Sequence, residues 1–298
     1  MKLAHITLSG LLLSLLALPA QAAGTLDKAK DSGRLSFGYA GDMRPYAYSE
    51  GAGQAAGYAV AVCEKVGEAI KAQLKLSALE VSYVPVTRAQ AYSDLQQGKV
   101  DLLCGATPTL ERRAVVDFSV PIMLSGATAA VSSNAPVRLV QALSGTASVA
   151  PRWRAPPAQA PQRVAFAVEG GGVLEKELLA QLKARRIVAT VVQVENPDAG
   201  VKLLATGNVQ AFFNDRALLK YAAARSERPS DIVVLDRTYR HDIVALSMRR
   251  NDEDFRLAVD RALSRLYRSP EFTSLYAKHF GAPTPAVLDF FQIVALPD

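Results

Sequence analysis

The spacing of apolar and polar positions changes period several times along the chain. Residues 34–40, RLSFGYA, alternate apolar and small side chains and predict a strand. Residues 41–57 read as loop, with Gly and Pro among Met43, Tyr46 and Tyr48. Residues 58–74, YAVAVCEKVGEAIKAQL, carry helical spacing, and residues 79–86, LEVSYVPV, predict a second strand. A helix over 88–98 closes at Gly98, and VDLLC, 100–104, predicts the next strand. Strands that alternate with helices predict an α/β sheet with parallel strands.

Residues 132–162 break this rhythm with Pro136, Pro151, Pro156, Pro157 and Pro161. The stretch APRWRAPPAQAP, 150–161, suits neither a regular helix nor a central strand and predicts an exposed loop or insertion, with Trp153 as its partly packed anchor or a contact residue. The rhythm then restarts. RVAFAV, 163–168, echoes RLSFGY, and LATGNVQAFFN, 204–214, aligns without gaps to LQQGKVDLLCG, 95–105. Leu95 falls opposite Leu204, Gly98 opposite Gly207 and Val100 opposite Val209. The repeat predicts two related α/β lobes. Ligands of open α/β sheets bind beyond the carboxyl ends of the strands. Thr107 and Arg112 of one lobe are therefore expected to face Asp215 of the other across a cleft.

The amino terminus is a separate signal. Lys2, the apolar run ITLSGLLLSLLALPA and the small-x-small AQA at 20–22 predict a cleaved signal peptide over 1–22 and an exported chain. Export brings an oxidising compartment, in which Cys63 and Cys104 are either a disulfide or two buried thiols. The 298 residues carry a formal net charge of +6, but no basic block, which predicts a solvated surface and no nucleic-acid partner. Beyond the signal peptide only His241 and His279 remain, without metal-ligand spacing, and no G-x-S-x-G or P-loop is present. No metal or cofactor is predicted.

The stretch DLLCGATPTLERRAVVDFS, 101–119, concentrates the candidate chemistry. It reads as strand, turn and helix, with Arg112 and Arg113 in the first helical turns. The positive end of a helix disfavours cations there, and a ligand carboxylate would complete the charge balance. Arg112 offers a bidentate grip on such a group. Thr107 offers a hydroxyl, or else a plain helix cap with Pro108 behind it. Asp215 suits an ammonium group, or the N-cap of ALLKYAAAR, or both. The turn Glu169–Gly170–Gly171–Gly172 either lets backbone amides approach an anion or is only flexible. Met43, Tyr46 and Tyr48 are core residues or a ligand cover. Arg44 and Arg88 are exposed cations or reach a second ligand charge.

GYAVAVCEKVGEAI, LQQGKVDLLCGATPTLERRAVVDFSVPI and LLATGNVQAFFNDRALLKY together resemble the family 3 extracellular solute-binding proteins, the amino-acid receptors of ABC importers. VPVT, CGAT and AFFNDRALL look nearest to the glutamate/aspartate-binding branch. The resemblance implies a two-lobed α/β fold, the type II periplasmic binding protein, with two crossing strands. It implies lobe 1 over 23–125 and 244–298, and lobe 2 over 126–243 with a Pro-rich insertion at about 145–161. It also implies that Arg112 and Thr107 hold a ligand α-carboxylate, while Asp215 and the Gly105 carbonyl hold the α-ammonium. Met43, Tyr46 and Arg88 would border the ligand side chain, and Gly171 stands in the turn where the family carries Gly-Thr-Thr. The expected protein is a monomeric periplasmic receptor that hands a polar α-amino acid to a membrane permease. Two alternatives share the scaffold: an enzyme similar to cyclohexadienyl dehydratases, with Glu169 as its acid, and a sensory binding module.

Overall fold

The computed structural model describes residues 24–145, 164–184 and 188–297. The predicted signal peptide and the Pro-rich stretch with Trp153 lie outside the described residues. From the amino end, α1 (Thr25–Ser32) leads into β1 (Arg34–Ala40), then β2 (Asp42–Met43), β3 (Ala47–Glu50), β4 (Gln54–Ala56) and α2 (Tyr58–Leu74). Next come β5 (Glu80–Val86), α3 (Ala91–Gln96), β6 (Leu102–Ala106), the one-turn α4 (Leu110–Arg113) and the long β7 (Asp117–Ser132). The second half holds α5 (Val137–Ser144), β8 (Val164–Glu169), α6 (Val173–Ala184), β9 (Ala189–Val194) and α7 (Pro197–Ala205). It continues with β10 (Ala211–Asp215), α8 (Arg216–Arg225), β11 (Ile232–Val234) and β12 (Arg240–Met248), and closes with α9 (Glu253–Tyr267), α10 (Pro270–Phe280) and α11 (Pro285–Val294).

Strand order in the main sheet is β5-β1-β6-β12-β7-β10-β8-β9, with β11 on β7. The order reads the same way from both edges. In each half an inner strand, β6 or β10, runs parallel to the first strand of its lobe and antiparallel to a strand from the central pair. The repeat seen in the sequence is this symmetry: Gly98 and Gly207 both adopt left-handed φ, 73° and 76°, just before β6 and β10. The antiparallel pair β7 and β12 joins the halves, with Met123 opposite Val244 and Ser125 opposite Asp242.

Each half has its own core. In lobe 1 the inward face of α2, from Tyr58 through Val62, Cys63 and Val66 to Ile70, packs with Phe37, Phe255, Leu263 and Phe272. Residues near both ends of the chain thus share one core, closed by an aromatic cluster in which Phe272 and Phe291 lie 4.4 Å apart. In lobe 2, Phe212 sits at 0 % exposure among Val201, Leu204 and Leu219. Gly57 begins α2 at φ 111°, where a Cβ would stand 2.5 Å from the Tyr46 carbonyl. Cys63 and Cys104 form a disulfide that ties α2 to β6.

Four expectations on local structure need correction. Residues 41–57 contain a three-stranded sheet, β2-β3-β4, whose strands are too short for alternation to show. The helix over 88–98 shrinks to α3. Within 132–162 an unforeseen helix, α5, starts immediately after Pro136, which occupies its N-cap position. Finally, α4 is a single turn, so Arg112 and Arg113 stand at its carboxyl end, where the helix field favours cations. The electrostatic conflict expected there does not exist.

Candidate functional site

A cavity of about 510 Å³ opens between the lobes at the carboxyl ends of the strands. That volume lies within the usual range for a small-molecule site. Met43, Tyr46, Arg88, Gly105, Thr107, Arg112, Gly171 and Asp215 all line it.

Arg112 is positioned by its own turn. The Thr109 hydroxyl caps α4 by accepting from the Arg112 amide at 3.1 Å. Nη1 of Arg112 donates to the Thr107 carbonyl at 2.7 Å, and its guanidinium carbon stands 5.4 Å from the centre of the Tyr92 ring. Among the described residues its other donors have no partner, so a face of the guanidinium is available to an anion. Because Thr109 is the cap, the Thr107 hydroxyl is not consumed by the helix. Gly105 precedes it at φ 105°, a conformation that L side chains rarely adopt.

Asp215 ends β10 on the opposite wall, and its N-cap reading holds. Oδ1 accepts from the amides of Ala217 and Leu218, which makes it the N-cap of α8. The same oxygen accepts from the Tyr46 hydroxyl at 2.7 Å. Oδ2 accepts from the Ser125 hydroxyl and the Gly126 amide. Five donors crowd a group with about four acceptor positions, so a ligand cation must share or displace one. The Tyr46 hydroxyl is the donor that reaches Asp215 from across the cleft. Burial, with the Asp215 carboxylate beside it, pushes the Tyr46 phenol well above its ordinary value, so it remains a donor. Its ring packs on Phe280 at 5.7 Å. Tyr46 therefore meets the site through its hydroxyl more than as an aromatic cover.

The turn at 169–172 also departs from expectation. The Gly171 amide donates to Glu175 Oε2 at 2.7 Å and is already engaged. The Glu175 carboxylate, which also meets Gln193 Nε2, fills the place where an anion would reach that amide. Gly171 lines the cavity without a free donor. Glu169 is 7 % exposed; its Oε2 accepts from Asn214 Nδ2 at 3.0 Å and its Oε1 meets Nη2 of Arg88 as an ion pair. Arg88 also donates to Met43 Sδ, which places both predicted side chains at one end of the cavity.

Among the described residues, polar side-chain contacts that cross the cleft include Tyr46 to Asp215, Arg88 to Glu169, and exposed Glu111 to Lys176 at 2.9 Å. Sequence reading missed Asn214, Ser125 and Tyr92. Asn214 had a visible signal, a polar residue inside an apolar strand end beside Asp215. Ser125 and Tyr92 had none. No cluster of three or more metal-ligating side chains occurs among the described residues. No helix among them is long and apolar enough to cross a membrane.

Residues 35–282 match the model of the bacterial extracellular solute-binding proteins, family 3. The chain is 29 % identical to the L-glutamate/L-aspartate-binding protein of Pseudomonas aeruginosa, over 89 % of this chain and 82 % of that one. It is 26 % identical to the cyclohexadienyl dehydratase of the same species, over 69 % of this chain and 71 % of the enzyme. The crystal structure of the ancestral amino acid-binding protein AncCDT-1, described as a precursor of cyclohexadienyl dehydratase, superposes with a TM-score of 0.68 at 24 % identity, covering 87 % of this chain and all of that one. With the two-lobed sheet and the cleft at its strand ends, the match across most of the chain places this protein in the bacterial extracellular solute-binding proteins, family 3.

Proposed function

We propose that the protein is a periplasmic receptor that captures a polar α-amino acid between its lobes and delivers it to the permease of an ABC importer. One observation carries the reading: Arg112 with Thr107 on one wall and Asp215 on the other line a single cavity. A guanidinium with free donors matches a carboxylate, and a carboxylate opposite matches an ammonium, so the pair suits a zwitterion. The Gly105 carbonyl adds an acceptor for the ammonium. The similarity to a glutamate/aspartate-binding protein supports the same ligand class. In this reading 23–125 with 244–298 form one lobe and 126–243 the other. The chain acts as a monomer, and closure turns about β7 and β12. The test is calorimetry on the mature protein with a panel of amino acids. Saturable binding with one-to-one stoichiometry is expected; no binding by any amino acid to folded protein overturns the reading.

The similarity to a dehydratase keeps a second reading, an enzyme on the same scaffold. Glu169 would be its acid, but that carboxylate accepts from Asn214 through Oε2 and is ion-paired with Arg88 through Oε1. Turnover of prephenate or arogenate by purified protein would favour the enzyme; absence of turnover alongside amino-acid binding favours the receptor.

A further inference from the structure

The charged side chains that line the cleft determine what kind of ligand side chain it accepts. Arg88 and Arg112 come from lobe 1, Glu169 and Asp215 from lobe 2, and Asp242 from β12. Asp242 is neutralised by Arg240, whose Nε stands 2.6 Å from Oδ1. In the proposed receptor the ligand carboxylate answers Arg112 and the ligand ammonium answers Asp215. Arg88 and Glu169 remain, and they answer each other. Nearby Asp42 and Glu175 do not line the cavity; the Glu175 carboxylate is held by Gly171 and Gln193.

A ligand with an ionised side chain upsets this balance in either direction. An acidic side chain can pair with Arg88 only by facing Glu169 or depriving it of its counter-ion. Glu169 is 7 % exposed, so water compensates it poorly. A basic side chain makes the mirror-image error with Arg88. A purely apolar side chain separates or desolvates the pair and gives neither group a hydrogen bond. A carboxamide meets both needs, because its oxygen accepts from a guanidinium and its NH₂ donates to a carboxylate. Asn214 Nδ2 already occupies Glu169 Oε2, which leaves Oε1, the oxygen facing Arg88, for such a donor.

We infer that the Arg88–Glu169 pair selects a neutral α-amino acid with a terminal carboxamide, glutamine or asparagine, over acidic, basic and apolar amino acids. The inference rests on the receptor reading and narrows its ligand.

Calorimetry of the full mature chain at neutral pH with glutamine, asparagine, glutamate, aspartate, lysine and leucine tests it. Glutamine or asparagine is expected to bind at least about tenfold more tightly than the other four. Glutamate, aspartate, lysine or leucine at equal or higher affinity overturns the inference and leaves the receptor reading standing. No binding by any of the six, or by a wider amino-acid panel, with folded protein overturns both. Glu169→Gln supplies the second arm, since it keeps an acceptor for Asn214 and frees Arg88 from its counter-ion. The ratio of glutamate to glutamine affinity should then rise by about tenfold or more; an unchanged ratio in a variant with normal melting refutes the role of Glu169. Should that variant not fold, Arg88→Gln reads the opposite shift, a gain for lysine relative to glutamine, and no shift refutes the pair.

Discussion

The Tyr46 hydroxyl donates to Asp215 across the cleft at 2.7 Å, joining a loop of lobe 1 to the last residue of β10 in lobe 2. Asp215 also caps α8, so this bond links a helix start to the opposite wall. Tyr46→Phe removes it and keeps the ring against Phe280. Ligand-free Tyr46→Phe should be more open, seen as a larger radius of gyration by small-angle scattering, with ligand restoring the wild-type value. An unchanged radius would mean that this bond does not hold the lobes together.

Among the described residues the Arg112 guanidinium makes one hydrogen bond, to the Thr107 carbonyl, and otherwise faces the Tyr92 ring. Arg112→Ala should therefore leave thermal stability nearly unchanged while binding falls by roughly 100-fold or more, because two hydrogen bonds to a charged group are lost. Calorimetry beside a melting curve separates the two effects. Near-normal affinity would remove Arg112 from the site.

Asp215 separates charge from capping. Asp215→Asn retains a side-chain acceptor for α8 and removes the negative charge, but it turns an N–H toward the Gly126 amide; it should weaken amino-acid binding strongly at some cost in stability. Asp215→Ala loses the cap as well and should destabilise the fold by a further ~1 kcal/mol. Chemical denaturation of both variants reads the difference, and equal stability of the two would deny the capping role.

The disulfide between Cys63 and Cys104 anchors β6, the strand that leads to Gly105 and Thr107, onto α2. Both cysteines are buried, at 0 % and 3 % exposure. Replacing both by Ala should lower unfolding free energy by about 2–4 kcal/mol. Urea unfolding of the variant beside the oxidised wild type measures it.

His279 packs edge-on against Tyr58, and its Nε2 is buried with no hydrogen-bond partner among the described residues. Burial, then the neighbouring Lys278, lowers its pKa below the ordinary 6.5. The unfolded chain then takes up a proton near pH 6.5 while the folded one does not. Stability is lost as pH falls from there toward the depressed value. His279→Phe should therefore narrow the drop in melting temperature between pH 7 and pH 5, and an identical drop would exclude this residue as a cause.

Much of this architecture was legible in order along the chain. Strand β1, helix α2 and strand β5 carry their periods openly, since each turns one set of side chains into a core and the other set is smaller or more polar. The match between LQQGKVDLLCG and LATGNVQAFFN exposed the symmetry of the sheet, because helix end, Gly turn and buried strand impose the same residue types in both lobes. It also pointed to Asp215 and to the turn before Arg112, as equivalent strand ends. The hairpins of 41–57 and helix α5 stayed hidden, being too short or too exposed for a periodic signal.

The sequence by itself determined the alternation of elements, the repeat and the kinds of side chain at the strand ends. Only the tertiary structure decided their partners. Arg88 and Glu169, or Tyr46 and Asp215, lie far apart in the chain, and no spacing rule encodes a meeting across a cleft. It also decided that α4 is one turn long, which turned Arg112 from a cation in an unfavourable field into one the helix supports. Periodicity reports burial along one element. The charge environment of a site is a sum over several elements, and only their packing fixes that sum.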